Sequence, residues 1–105
     1  MARIVMAYVT AKDKQEALAL GRTLVEKKLA ACTNVWDGMT SCYWWEGKVD
    51  TAQEAVLLIK TREDKVEALL NVVKAVHSYS VPCVLTWSVE KGNPDYLKWL
   101  DDSLK

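Results

Sequence analysis

"EAVLLIKT", residues Glu54 to Thr61, decides the fold of this chain. β-Branched and aliphatic residues predict a strand, but the two-residue alternation of a half-exposed strand fails, since Ala55 through Ile59 are apolar on both faces. A helical layer covers one face of a sheet, so something else has to cover the other. Just upstream, Thr33 to Thr61 reads as two strands broken by two turn signals. Asp37-Gly38 favours a bend or bulge inside a long strand. Glu46-Gly47, between "CYWW" and "KV", favours a tight hairpin with Gly supplying the positive φ.

Working outward, Ile4 to Thr10 is β-branched and aromatic enough for a first strand. Asp13 followed by Glu16 has the spacing of a capping box, and Ala17, Leu18, Gly21, Leu24, Val25 and Leu29 then keep helical spacing. Lys27 and Lys28 suit the negative end of that helix. A second helix is predicted from about Arg62 to Val76, with Val66, Leu69, Leu70, Val73 and Val76 on one stripe. Pro82 forbids its continuation, and "VLTWSV", Val84 to Val89, is again a strand. In "GNPDYLKWL" Asn93 is the N-cap and Pro94 the first helical residue of a short terminal helix. It is expected to dock on the assembled protein, with Tyr96 and Trp99 as candidate anchors.

The order is β-α-β-β-α-β plus a helical tail. This is an α+β, ferredoxin-like plan with a four-stranded antiparallel sheet and two helices on one face. The opposite face stays apolar, and an exposed apolar patch of that size marks an interface. The chain is therefore expected to self-associate.

Bulk properties narrow the function. The 105 residues make one domain, 1–105. Fourteen basic residues balance fourteen acidic ones, so net repulsion does not oppose assembly, and no basic stripe points to nucleic acid. Five Trp and four Tyr with no Phe suggest rings at wet edges or interfaces, where their polar atoms find partners. No apolar run is long enough to span a bilayer, and the start "MARIVMAYV" does not read as a signal peptide, so a cytoplasmic protein without membrane contact is expected. Cys32, Cys42 and Cys83 are an odd number without Cys-x-x-Cys spacing, which fits reduced thiols and does not make a closed zinc site.

The only histidine lies in "VHSYSVPC", Val76 to Cys83. His77 with Cys83 has the makings of a nucleophile and base, but neither an orienting group nor an oxyanion hole is recognisable, so an enzyme is not expected. The same pair supplies imidazole and thiolate donors for copper or another divalent cation, although no cofactor is required. The simpler reading of His77 is a partly exposed residue ending a helix, with Cys83 mostly buried at the start of the next strand. Tyr43 and Trp45 share a strand face. With Lys60, His77 and Tyr79 they are the candidate lining of a ligand cleft between subunits: Lys60 for the charge of a small anion, the rings for stacking, the hydroxyls for hydrogen bonds. Packing plus a lysine whose stem lies along apolar surface is the simpler alternative for Lys60.

Four motifs in order carry a resemblance: "LVEKKLAACTNV" (Leu24 to Val35), "TSCYWWEGKV" (Thr40 to Val49), "LLIKT" (Leu57 to Thr61) and "GNPDYLKWL" (Gly92 to Leu100). Over nearly its whole length the chain resembles the CutA divalent-ion tolerance family. The resemblance implies a ferredoxin-like protomer in a tight homotrimer whose sheets pack together, similar in fold and assembly to the PII signalling proteins. It also implies copper ligands, a Cys near the end of the first strand and two adjacent His; here those positions hold Val9 and Val76, leaving only His77. Ser78 replaces the Pro that usually follows the His, and Cys83 replaces a Glu. Three functions stay open: a trimeric metal-tolerance or copper-binding protein, a PII-like sensor of a small anion, and a structural adaptor.

Overall fold

The computed structural model describes residues 2–105. Strands β1 (Ile4–Ala11), β2 (Cys32–Trp45), β3 (Lys48–Arg62) and β4 (Val84–Ser88) form one antiparallel sheet in the order β2-β3-β1-β4. Helices α1 (Lys14–Glu26) and α2 (Val66–Val76) cover one face, and α3 (Pro94–Ser103) closes the chain. This is the expected ferredoxin-like arrangement.

The core is built from alternate strand residues. Ala7, Val9 and Ala11 of β1 and Ala55, Leu57 and Ile59 of β3 meet Ala17, Leu20 and Leu24 of α1 and Leu69 and Val73 of α2. Gly21 lets α1 lie close to the sheet, since a Cβ there would stand 2.8 Å from the Thr33 Oγ1. Asp13 caps α1 by accepting from the Glu16 amide at 2.8 Å, as its spacing predicts.

Two helix boundaries differ from expectation. The first helix stops at Glu26, because Lys28 adopts φ 61° and the Leu29 and Lys28 amides turn back to the carbonyls of Leu24 and Val25. That is a Schellman stop with lysine where glycine is usual. The second helix starts at Val66: β3 runs on to Arg62, and a 3₁₀ turn, Glu63–Lys65, makes the corner.

The bulge and the hairpin both form. Pairing shifts between Trp36 and Met39, with Gly38 at φ 77°. The extra residue lets even positions of β2 before the bulge and odd positions after it share one sheet face. At the hairpin tip Glu46 as well as Gly47 has positive φ (50° and 79°), a loop whose twist matches the strands. Beyond Ala55, the last β3 partner of β1, the hairpin is a two-stranded ribbon with Tyr43 and Trp45 on one side and Trp44 and Val49 on the other. It gives the protomer its 45 Å long axis.

The face away from α1 and α2 is only partly covered. At one end α3 seats Leu100 and Leu104 against Ile4, with Ala31, Val89 and Leu97 packed alongside. Within the protomer Leu100 and Leu104 are the anchors, while Tyr96 and Trp99, the candidate anchors on an assembly, are exposed. The rest of that face presents Trp36 (72% exposed), Leu85 (62%) and Trp87. Among the described residues no helix is long and apolar enough to cross a membrane.

Candidate functional site

Where the ribbon leaves the sheet, its outer face forms a cavity of about 610 Å³. The wall from β2 is Ser41, Tyr43 and Trp45; the floor from β3 is Asp50, Ala52 and Glu54. These residues share a face because they are register partners: Ser41 opposite Ala52, Tyr43 opposite Asp50. Tyr8 and Thr10 of β1 and the loop residues Tyr79 to Val81, with Cys83, close the other side.

That loop is the "VHSYSVPC" stretch, and its residues act as fasteners. His77 ends α2 with extended φ/ψ and donates its amide to the Val73 carbonyl at 2.9 Å. Its ring turns inward and is only 9% exposed. The Tyr79 amide donates to Nδ1 at 3.0 Å, so Nδ1 carries no proton. Nε2 therefore holds the proton and donates to the Thr10 carbonyl at 2.7 Å. The Ser78 amide donates to Glu16 at 3.0 Å, and the Tyr79 hydroxyl to Glu54 at 2.7 Å. The partly exposed His77 expected from sequence is thus a buried one, because a long-range bond to β1 pulls the ring into the fold.

Glu54 is the centre of the cavity and was not singled out by sequence. It is 8% exposed, and its two oxygens accept from the hydroxyls of Ser41 and Tyr79. Its signal was available: a carboxylate just before the apolar run of β3, in phase with the cavity-facing Ala52 and Asp50. Its charge is felt around it. The Tyr79 hydroxyl is held well above its ordinary value by burial and by its bond to Glu54. Burial and then the Glu54 charge push the Cys83 thiol up, and burial, Cys83 and Glu54 do the same to Tyr8.

Of the residues expected in a ligand cleft, the structure brings together Tyr43, Trp45 and Tyr79, and adds Cys83. His77 lies behind the Tyr79 wall, ring centroids 4.7 Å apart, and does not line the cavity. Lys60 stands apart. Its register partner is Cys32, near the far end of β2, and its Nζ lies 3.3 Å from the Tyr96 hydroxyl and 5.4 Å from that ring's centroid. Cys83 is half-buried. Among the described residues no three His, Cys, Asp or Glu side chains are grouped to hold a metal ion.

A family model, the CutA1 divalent ion tolerance protein, matches residues 5–103. The chain belongs to this family. It is 45% identical over 101 residues to the rice protein CutA 1, chloroplastic, covering 96% of this chain and 57% of that one. It is 40% identical over 98 residues to the divalent-cation tolerance protein CutA of Archaeoglobus fulgidus, covering 93% and 95%. Several plant and animal relatives are longer; the chain spans 52% of the human family member's length. The crystal structure of the rice CutA1 superimposes with a TM-score of 0.94 at 44% identity, covering 97% of this chain and 94% of that one. The four sequence motifs identified the family, and the fold follows it.

Proposed function

We propose that this chain acts in divalent-cation tolerance as a non-catalytic, homotrimeric binding protein whose ligand pocket is the cavity around Glu54. The observation that carries the assembly is the open outer face. Trp36, Leu85 and Trp87 lie on it exposed, and a two-stranded ribbon with aromatic residues on both sides extends past the sheet. Such a ribbon is marginal alone and calls for a covering surface. Burying each of these large side chains against a neighbour is worth ~1.5–3 kcal/mol. The subunit count of three rests on the family resemblance.

The geometry favours the cavity over a copper site at His77 and Cys83. Both ring nitrogens of His77 already hold hydrogen bonds, so a metal would have to break one of them. Sedimentation at micromolar concentration tests the assembly: a species of three 11.8 kDa chains is expected, lost or dissociated by Leu85→Asp. A stable folded monomer of the unaltered chain would overturn it.

A further inference from the structure

The cavity around Glu54 has the chemistry of a cation site. Glu54 is buried, faces the open volume, and receives only neutral hydroxyl donors, from Ser41 and Tyr79. A buried carboxylate ordinarily has a cationic partner, because its desolvation is costly otherwise. Within one protomer no Lys or Arg among the described residues lines the cavity, and neither Glu54 nor Asp50 takes part in an ion pair there. A carboxylate offers about four lone-pair positions, and two are in use. The surrounding rings, Tyr43 and Trp45, present faces that are partly exposed within the protomer and of the kind that attract organic cations.

The shape narrows the class. Asp50 and Glu54 lie on one face of β3 four residues apart, roughly 13 Å along the strand. Between them stands Ala52, a side chain too small to fill the floor. The space is therefore a trough with a negative charge at each end, an aromatic flank and a slim apolar middle.

We propose that this cavity binds a linear aliphatic amine, with one ammonium on the Glu54 carboxylate and the alkyl chain over Ala52 along Tyr43 and Trp45. A second ammonium at the far end, as in a polyamine, reaches toward Asp50. This rests on the reading of the cavity as the ligand pocket and reverses the charge expected from Lys60, which does not line it within the protomer.

The test uses three probes of equal length, n-pentylammonium, pentan-1-ol and pentanoate, titrated into the full chain near neutral pH. Amide shifts of Ser41, Glu54 and Tyr79 are the readout. Pentylammonium is expected to shift them saturably, and the alcohol and the carboxylate far less. Glu54→Gln should weaken pentylammonium about tenfold or more, a loss near 1.4 kcal/mol per tenfold. Asp50→Asn, on the exposed ribbon and independent of Glu54's buried bonds, should weaken spermidine more than pentylammonium. Pentanoate binding as tightly as the amine, or an unchanged affinity in Glu54→Gln, overturns the cation assignment while leaving a pocket. If none of the probes moves these amides, the pocket reading falls with it.

Discussion

Tyr79 and Glu54, 25 residues apart in sequence, are joined by a 2.7 Å hydrogen bond from the phenol to the carboxylate, and that bond fixes the cavity's loop wall to its floor. Removing the hydroxyl leaves Glu54 with Ser41 as its donor among the described side chains. A hydrogen bond to a charged group is worth about 1.5–3 kcal/mol. Tyr79→Phe is therefore expected to lower the urea midpoint by that much stability. It should also raise hydrogen exchange at the amides of residues 78–81 more than elsewhere. Uniform exchange across the chain would show that the loop is held by other contacts.

His77 is a fastener in this structure, and its replacement should read out as stability. His77→Ala strands the Thr10 carbonyl and the Tyr79 amide, each costing about 1–3 kcal/mol if it stays buried without a partner. Copper titration is expected to show only weak binding, unaltered by His77→Ala or Cys83→Ser. Tight binding abolished by either substitution would restore the two-residue metal site.

Glu16 ties α1 to the same loop and carries a pH dependence. Burial pushes its carboxyl up, but bonds from Ser78 and the Lys12 amide outweigh it and hold the group below its ordinary value of 4.5. The folded chain thus prefers the ionised form. Its contribution is fully present above the ordinary carboxylate range and disappears as pH falls through the lowered folded value. Glu16→Gln should cost stability near neutrality and progressively less as the pH falls through the lowered folded value, where the native residue becomes protonated as well. Parallel urea-midpoint curves for the two proteins across that range would refute this.

How much of this was legible depended on how far apart in sequence the cause lay. The bulge at Asp37-Gly38, the turn at Glu46-Gly47 and the caps at Asp13 and Asn93 are local chemistry, and all four form as their residues dictate. The corner at Glu63–Lys65 was missed because Arg62 is held in the strand by distant partners: it pairs with Ile4, and its guanidinium bonds to Asp101 at 3.1 Å. His77 was placed correctly at a helix end, but its burial is decided by Thr10, 67 residues away. Tyr43 and Trp45 were found by alternation, which Lys60 also obeys; what alternation cannot give is distance along the strand, and Lys60 lies at the other end. Glu54 escaped because a carboxylate just before the apolar run of β3 looks solvated until Ser41 and Tyr79 close over it.

The terminal helix offers a direct comparison between an anchor and an ornament. Asn93 caps it through the Asp95 amide at 3.0 Å, but ten residues of helix are marginal in water without tertiary contacts. Those contacts come from Leu100, 1% exposed, and Leu104, 2% exposed, on Ile4. The Arg62–Asp101 pair, both side chains 15% exposed, fixes the docking angle. Trp99, by contrast, rests on Tyr96 at 5.4 Å between centroids with nearly half its surface in water. Leu100→Ala should cost about 2–5 kcal/mol, as other buried leucines do. Trp99→Ala should cost well under half of that within the protomer, despite removing a larger side chain. Denaturant unfolding of the two variants settles the ranking. If Trp99→Ala proves the more destabilising, that ring is buried by a neighbouring subunit, and the proposed assembly covers α3 as well as the open part of the sheet.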